Sequence, residues 1–391
     1  MSAGRGRVLV VGRDAEDTAD TRSLLALVDG LAADTGGPQV RVLLQGGGPL
    51  VERFAGLAPT TVVDDLAGRS VAGLVERGLG RVGLRAGALR VRARRLGLDG
   101  WGSGDAVYLH TVLCVQALRY LPTAGNAGIV CRVPESVHPL DQPLSEADLA
   151  LLVDRVDRFL VTTAAGVAEL TGPLRVATGR VVRVPEVVAP TTGAEASRVE
   201  ASRLRSALGF GPDDVVVGSF GASAVDPPSP AASLAVALRR QGTTARLLFV
   251  APEHASDGWV RHDVECAGLT DRVTVVDAGE PLPGYHLVCD VVAHAGWGAD
   301  HPGAYLEAMA RGVPAVCFEG HELAALVGDD EAGVVCPYLD LMAMAEGVAG
   351  LVDDADRRRV AGERAADTVA ALHPTTVALD AVRLAVAEVS R

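Results

Sequence analysis

The chain of 391 residues contains no lysine, so all 36 of its Lys and Arg positions are arginine. A Walker-type phosphate site, which needs a lysine, is therefore excluded. Any phosphate contact must come from arginine, histidine, backbone N–H groups or helix N-termini. The formal charge of −13 and the pI of about 5.2 argue against a protein whose main work is to grip a nucleic acid backbone, so we expect no nucleic acid partner.

Aromatic residues are scarce, at 4% of the chain, so alanine, valine and leucine must fill most of the core. The six cysteines stand singly, without a CxxC pair or the spacing of zinc ligands, which predicts reduced, mostly buried thiols. We see no signal-peptide pattern and expect no apolar stretch that spans a bilayer. These patterns predict a cytoplasmic protein.

Short apolar strands alternate with amphipathic helices along the whole chain. "RVLVVGR", "QVRVLLQGG", "AVYLHTV", "AGIVCRVP", "DRFLVTT" and "RVVRVPEVV" form one series, and "DVVVGSFG", "ARLLFVAPE", "RVTVVD", "CDVVAHAG", "PAVCFEG" and "GVVCPY" form a second. The alternation predicts parallel sheets covered by helices on both faces. We therefore expect an α/β protein of two Rossmann-like lobes that face a central cleft.

Between the two series, the sequence becomes polar near Pro190 and reads "TTGAEASRVEASRLRSALGFGPDD", which indicates a linker. This places a first lobe at 1–190 and a second at 191–371. Residues 372–391 follow a proline break and predict one more helix, which we expect to pack back on the first lobe.

An arginine-rich segment, Arg77–Arg95, carries seven arginines. One interpretation is the solvated face of a helix. The other is a basic surface that contacts an anionic acceptor or a membrane.

Residues 305–320 read "YLEAMARGVPAVCFEG", a short helix pattern that ends at glycine and proline and runs into an apolar strand. Together with "PGYHLVCDVVAHAG" before it and "GDDEAGVVCPYLD" after it, this stretch resembles the donor half of the family 4 glycosyltransferases. Those are retaining enzymes of the two-lobed GT-B fold. The resemblance extends over nearly the whole chain, since "DRFLVTTAAGVAEL" and "RVVRVPEVV" look like the family's last strands of the first lobe.

The resemblance implies a nucleotide-diphosphate sugar as donor substrate, with a small molecule or a glycan as acceptor. Glu307 is implied to bind the ribose, and a carboxylate is the chemistry that ribose hydroxyls need. The alternative is that Glu307 only caps its helix. Backbone N–H and hydroxyl groups of four residues after a second-lobe strand, and the turn at Gly320, are expected to bind the diphosphate: Ser219, Gly221, Ala222 and Ser223.

Two departures concern the donor side. The family has an earlier carboxylate, separated by seven residues from the equivalent of Glu307, and Ala299 stands there. We expect Asp300 to serve instead, facing the donor sugar. The family also supplies an arginine and a lysine after "DVVVGSFG", whereas this chain continues "ASAVDPPSPAAS", so that electrostatic help to the leaving group is missing.

Other departures concern the first lobe, where the family often places a histidine after a central strand. Pro134 stands there, so Glu135 and His110 are the candidate catalytic residues, with the alternative that His110 is a satisfied structural histidine. His138 and the loop "QGGGPL", with Gly46, Gly47 and Gly48, are candidate acceptor contacts.

No metal-binding motif is present, so we expect neither a metal nor a cofactor. Three hypotheses remain open. The chain is a retaining glycosyltransferase, or a degenerate relative that binds a ligand or a partner, or a transferase that uses a thiol or amine acceptor.

Overall fold

The structure is a computed structural model that describes residues 6–63, 91, 93–98, 101–119, 127–134, 144–188, 194–220, 230–251, 259–277, 284–295, 303–328 and 331–390. The chain divides into two compact units. The first unit comprises Met1–Val187 and Thr375–Arg391, and the second comprises Val188–Pro374.

Over its described residues the first unit contains a seven-stranded parallel sheet. Its strands are β1 (Arg7–Gly12), β2 (Gln39–Leu44), β3 (Thr60–Val62), β4 (Ala106–Leu109), β5 (Gly128–Val133), β6 (Arg158–Val161) and β7 (Val181–Arg183). They lie in the order β3-β2-β1-β4-β5-β6-β7. The direction of winding therefore reverses between β1 and β4, which is where open α/β sheets bind ligands.

Helices connect these strands on both faces of the sheet. They are α1 (Ala19–Ala32), α2 (Val51–Leu57), α3 (Glu146–Arg155) and α4 (Ala164–Thr171), with 3₁₀ helices at Val112–Arg119 and Thr178–Arg180. Side-chain oxygens cap three of them, since Thr18, Ser145 and Thr163 each accept a hydrogen bond from a backbone N–H in the first turn.

The second unit contains a six-stranded parallel sheet over its described residues. Its strands are β8 (Val216–Phe220), β9 (Arg246–Ala251), β10 (Val273–Asp277), β11 (Val291–His294), β12 (Ala315–Phe318) and β13 (Gly333–Cys336), in the order β10-β9-β8-β11-β12-β13. The winding reverses between β8 and β11, so this pair marks the ligand-binding position in this sheet.

The helices of the second unit are α5 (Ala194–Ala207), α6 (Pro230–Arg240), α7 (Trp259–Cys266), α8 (Gly303–Met309), α9 (Glu322–Gly328), α10 (Leu341–Asp353) and α11 (Ala355–Leu372), with a 3₁₀ helix at Tyr285–Leu287. Carboxylates cap the last two, because Asp340 accepts from the N–H groups of Met342 and Ala343 and Asp354 accepts from that of Arg357.

Both faces of each sheet are buried. On β1, Leu9 and Val11 pack into one apolar cluster while Val8 and Val10 pack into another on the opposite face. Strands buried on both faces read as continuous apolar runs, which is why the sequence predicted them as strands of a parallel sheet. The predicted α/β class with two Rossmann-like units is confirmed.

The C-terminal helix α12 (Thr375–Val389) belongs to the first unit. Its residues Val382, Ala385 and Val386 join the apolar cluster of Val8 and Val10. The helix approaches β5 so closely that a Cβ on Gly128 would lie 2.1 Å from the carbonyl oxygen of Val389, so only glycine fits there.

Among the described residues, the stretch 355–389 is long and apolar enough to meet a criterion for a membrane-crossing helix, with a mean hydropathy of 1.3 and 33% of that window buried. It is two helices, α11 of 18 residues and α12 of 15, separated at His373 and Pro374.

Candidate functional site

The candidate donor site lies at the carboxyl ends of β8, β11 and β12 in the second unit. Ser219 and Phe220 end β8, His294 ends β11, and Gly320 follows β12. The Ser219 side chain is buried, and its Oγ has no hydrogen-bond partner among the described residues. A buried hydroxyl left unpaired costs free energy, so this edge of the sheet has unused hydrogen-bonding capacity.

Tyr305 of α8 contacts the ends of both β8 and β11 at this edge of the sheet. Its hydroxyl donates to the carbonyl oxygen of Phe220 at 2.9 Å and accepts from the N–H of Phe220 at 2.9 Å. Its ring lies 5.5 Å from the Phe220 ring, edge to face, and 4.9 Å from the His294 ring. The end of β8 therefore has its last backbone groups satisfied by a side chain from α8 rather than by a neighbouring strand.

His294 and His321 form a stacked pair next to Tyr305. Their ring centroids lie 3.8 Å apart at an interplanar angle of 32°. Burial, together with a smaller effect of the neighbouring His321, lowers the pKa of His294 to about 3. Burial also lowers the pKa of His321 to about 4, against a smaller opposing effect of Glu322. Both rings are therefore neutral at pH 7, and two neutral rings can stack without charge repulsion.

Glu307, the predicted ribose ligand, lies in the middle of α8 and is 3% exposed. Its Oε2 is 3.4 Å from Nδ1 of the buried His286, which comes from the 3₁₀ helix at Tyr285–Leu287. Arg311 donates to the backbone oxygen of Glu307 at 3.0 Å. Glu307 is thus part of a buried carboxylate and imidazole pair, and its role toward a ribose stays a prediction.

Gly320 has φ of +82°, a backbone conformation that side chains rarely adopt, while the space around its Cβ position is open. The preceding Glu319 holds this turn to the segment after β13, because it accepts a hydrogen bond from the N–H of Tyr338 at 3.2 Å and its own N–H donates to the oxygen of Cys336 at 2.8 Å. The turn that was predicted to contact the diphosphate is therefore anchored, through Glu319, to the end of β13 and the segment after it.

The candidate acceptor loop in the first unit follows β2. Gly46 donates to the oxygen of Arg13 at 2.7 Å, and the oxygen of Gly47 accepts from the N–H of Ala15 at 3.0 Å. Gly48 has φ of +148°, and a Cβ there would lie 2.2 Å from the carbonyl carbon of Ala15. A Cβ on Gly47 would meet open space. The geometry gives Gly48 a packing role against the segment after β1 and leaves Gly47 facing free space.

His110 lies directly after β4, beside the reversal point of the first sheet, and is 1% exposed. Its Nε2 lies 3.0 Å from the backbone oxygen of Asp20, 3.2 Å from Ser23 Oγ and 3.2 Å from Nη1 of Arg132. The ring is therefore enclosed by protein groups, as expected of a satisfied structural histidine, and its catalytic role stays a prediction.

Arg132 of β5, a neighbour of His110, is a buried charged residue that the sequence analysis missed. It is 2% exposed and bonds two carboxylates: Nη1 lies 2.8 Å from Oδ1 of Asp20, and Nη2 lies 2.5 Å from Oε1 of the buried Glu186. Burial by itself would lower the pKa of Arg132, but Glu186 and Asp20 together raise it above its ordinary value, so the arginine keeps its charge. A lone arginine inside the apolar run "GIVCRVP" is the signal that could have found it.

Several predicted positions lie outside the described residues. They are Asp300, Glu135, His138, Gly221, Ala222 and Ser223, together with most of the arginine-rich segment Arg77–Arg95. Within the part of the chain that the structure describes, no three His, Cys, Asp or Glu side chains are grouped so that they could hold a metal ion.

Residues 217–354 match the family model of "Glycosyl transferases group 1". The matched region begins in β8 and ends just after α10, so it contains Ser219, His294, Glu307 and Gly320. The chain is also 33% identical over 109 residues to the lipopolysaccharide core biosynthesis mannosyltransferase LpsB of Rhizobium meliloti (strain 1021). That similarity covers 27% of this chain and 31% of the length of the relative.

Solved structures resemble the chain over nearly its full length. Anabaena Alr3699/HepE in complex with UDP and glucose has a TM-score of 0.67 at 16% identity, covering 98% of this chain and 100% of that one. WaaG, a glycosyltransferase involved in lipopolysaccharide biosynthesis, has a TM-score of 0.63 at 13% identity, covering 96% and 98%. At these identities the comparison establishes the shared fold. The chain therefore has the GT-B fold, and the similarity to group 1 glycosyl transferases lies in its second unit.

Proposed function

We propose that this protein is a glycosyltransferase that moves a sugar from a nucleotide-diphosphate sugar to a small-molecule or glycan acceptor, with retention of configuration and without a metal ion. The observation that carries the proposal is the group 1 match over residues 217–354, which encloses the carboxyl edge of the second sheet with Glu307 and Gly320. Support also comes from Alr3699/HepE, whose structures contain UDP and glucose or UDP-glucose.

In this proposal the second unit binds the nucleotide. Glu307 accepts hydrogen bonds from the ribose, while Ser219 and the turn at Gly320 lie on the edge that faces the diphosphate. The buried, unpaired Oγ of Ser219 supports this placement because a ligand oxygen would satisfy it. The acceptor is bound by the first unit, and Asp300 faces the donor sugar. We place the reaction in the cytoplasm, where nucleotide sugars are the available donors.

Calorimetric titration with UDP, GDP and dTDP tests the donor class. We expect one of the three to bind with micromolar affinity, and the nucleotide that binds identifies the class of donor sugar nucleotide. Failure of all three to bind would overturn the proposed function.

The role of Glu307 is tested by a matched pair of ligands. The wild type should prefer UDP, or whichever nucleotide binds, over its 2′,3′-dideoxy form, because the carboxylate loses its ribose partners with the latter. Glu307→Gln should lower affinity for the normal nucleotide by about tenfold, since hydrogen bonds to charged groups are the stronger ones, and should abolish the preference. If the variant is less stable but still prefers the ribose form, Glu307 serves only to pair with His286.

A second candidate function is supported by the sequence after β8. Residues 221–229 contain no arginine or histidine, and Ala299 stands where the family has a carboxylate. Both features favour a degenerate relative that binds a ligand or a partner without transfer. Release of free nucleotide from the nucleotide sugar, with water or an added acceptor, distinguishes the two: tight binding with no release would support the second candidate. A transferase that uses a thiol or amine acceptor would release nucleotide only when such acceptors are added.

A further inference from the structure

The side chain of His321 has one ring nitrogen committed to the protein and one available. Its Nδ1 accepts a hydrogen bond from the backbone N–H of Leu323 at 3.2 Å. A neutral imidazole that accepts through Nδ1 carries its proton on Nε2. The ring plane is fixed by stacking on His294, with 3.8 Å between the centroids. His321 therefore presents a preoriented N–H donor.

No hydrogen-bond partner of Nε2 exists among the described residues, although the ring is half-buried. A polar group that is removed from water without a hydrogen-bond partner destabilises the folded protein, unless a ligand forms a hydrogen bond with that group. The same burial lowers the pKa of His321 to about 4, so at neutral pH the group acts as a donor and not as a cation.

The position of His321 determines what it can contact. It follows Gly320 at the carboxyl end of β12, and its stacking partner His294 ends β11, the strand that borders the reversal point of the sheet. Ligands of open α/β sheets bind outside these strand ends. Residues 221–229, which follow β8 in the sequence, contain no arginine or histidine, and the chain has no lysine. An anion at this edge therefore needs hydrogen bonds from other groups.

We propose that His321 is a donor-binding residue whose Nε2–H contacts an oxygen of the nucleotide diphosphate. The inference rests on the proposed function and adds a side chain to its diphosphate site. Because Nδ1 already accepts the hydrogen bond of Leu323 N–H, the ring stays neutral and donates through Nε2, and the contact requires no proton uptake. The titratable neighbours that act on the ring, among the described residues, are His294 from β11 and Glu322 from α9.

The test uses His321→Asn in the full-length protein. The Asn side-chain oxygen can still accept the hydrogen bond of Leu323 N–H, so the turn is kept, but the variant lacks the Nε2 donor and does not titrate. His262→Asn, at an exposed histidine of α7 in the same unit, is the matched control. His321→Gln is a second variant, and thermal unfolding checks that each variant is folded.

Calorimetry at about pH 7 measures the affinity of the wild type and of each variant. The ligands are the nucleoside diphosphate that binds the wild type, its nucleoside, and inorganic phosphate. For His321→Asn we expect an affinity for the diphosphate lower by about tenfold, as for loss of a hydrogen bond to a charged group. The affinity for the nucleoside should be unchanged, and His262→Asn should behave as the wild type.

Two results would overturn the inference while leaving the proposed function intact. One is that His321→Asn binds the diphosphate as tightly as the wild type does. The other is an equal loss for nucleoside and diphosphate, which would give His321 a structural role only. Inorganic phosphate that binds as tightly as the nucleotide, and is lost in the variant, would show a general anion site instead. If the wild type binds no nucleotide at all, the proposed function itself fails.

Discussion

Arg132 carries a buried charge that connects separate segments of the first unit through Asp20 and Glu186. Its guanidinium lies between Asp20, whose side chain is 34% exposed, and Glu186, whose side chain is 2% exposed. Glu186 also accepts a hydrogen bond from the N–H of Val187, the last residue of this segment in the first unit. The pair therefore fixes the end of the segment after β7 to β5.

Removal of Arg132 alone should be costly because it leaves Glu186 buried without its cation. For Arg132→Met we expect a loss of about 3 to 5 kcal/mol in the free energy of unfolding, as for other broken buried pairs. In Arg132→Met combined with Glu186→Gln most of that loss should be recovered, since no uncompensated charge remains and Gln can still accept from Val187. Urea denaturation measures both.

The control for this pair is Arg359→Met on α11, where the arginine lies at the surface 2.8 Å from Glu363. This exposed pair should contribute nothing measurable. If Arg132→Met is as harmless as the control, or if the double variant is no better than the single one, the buried pair is not what holds the segment.

For individual residues, the sequence predicted where the candidate site residues lie better than it predicted which groups they contact. His110 and Ser219 lie at the carboxyl ends of strands, where the topology places ligands, so their positions followed from the strand pattern. Glu307 lies within α8, whose short helix pattern before β12 was also visible in the sequence. Their contacts were not visible, because the partners Asp20, Arg132 and His286 are distant in sequence. The His294 and His321 pair was also missed, since only the fold brings the ends of β11 and β12 side by side.

The elements β11, α8 and α9 meet at the two stacked histidines, and this packing should make stability depend on pH. The pKa of His294 is lowered to about 3 and that of His321 to about 4, while a histidine in an unfolded chain titrates near 6.5. Below pH 6.5 the unfolded state therefore binds protons that the folded state does not. Their contribution to stability is complete above pH 6.5 and is lost as the pH falls toward 4.

Between pH 6.5 and pH 5 each histidine should reduce the free energy of unfolding by about 2 kcal/mol, at about 1.4 kcal/mol per pH unit. His294→Phe keeps an aromatic ring in the stack and removes one titrating group, so it should lose about half of this effect. Urea denaturation at several pH values checks the slope. His262→Asn at an exposed site is the control, and an unchanged slope in His294→Phe would contradict the assignment.

For the whole molecule, the fold was predictable because strands buried on both faces leave a continuous apolar signal, and each of the twelve predicted strand segments contains a strand. β3 was missed because Thr60–Val62 is only three residues long and lies at the edge of its sheet. The sequence led us to expect α12 to pack on the first unit, but it did not reveal the close approach of Val389 to Gly128, because no periodicity reports such a contact.

The chain divides into two units, each with its own core, and α12 packs in the core of the first unit although it follows the second unit in sequence. A substitution that disrupts the packing of α12 should therefore lower the stability of the first unit. Val382 is 3% exposed within the cluster of β1 and α1, whereas Leu384 on the same helix is 61% exposed. Val382→Asp places a charge in that cluster and should destabilise the first unit by about 3 kcal/mol or more. Leu384→Asp is the matched control and should change little, because its side chain stays in water.

Hydrogen exchange followed by mass spectrometry locates the effect. In Val382→Asp the amides of β1, β4 and β5 should exchange faster, since they lie in the unit that loses its packing, while those of β8, β11 and β12 should keep their protection. Faster exchange in both units would show that the two cores unfold as one, and faster exchange in the second unit alone would contradict the placement of α12. The C-terminal helix would then stabilise a different core from the one that its buried side chains indicate.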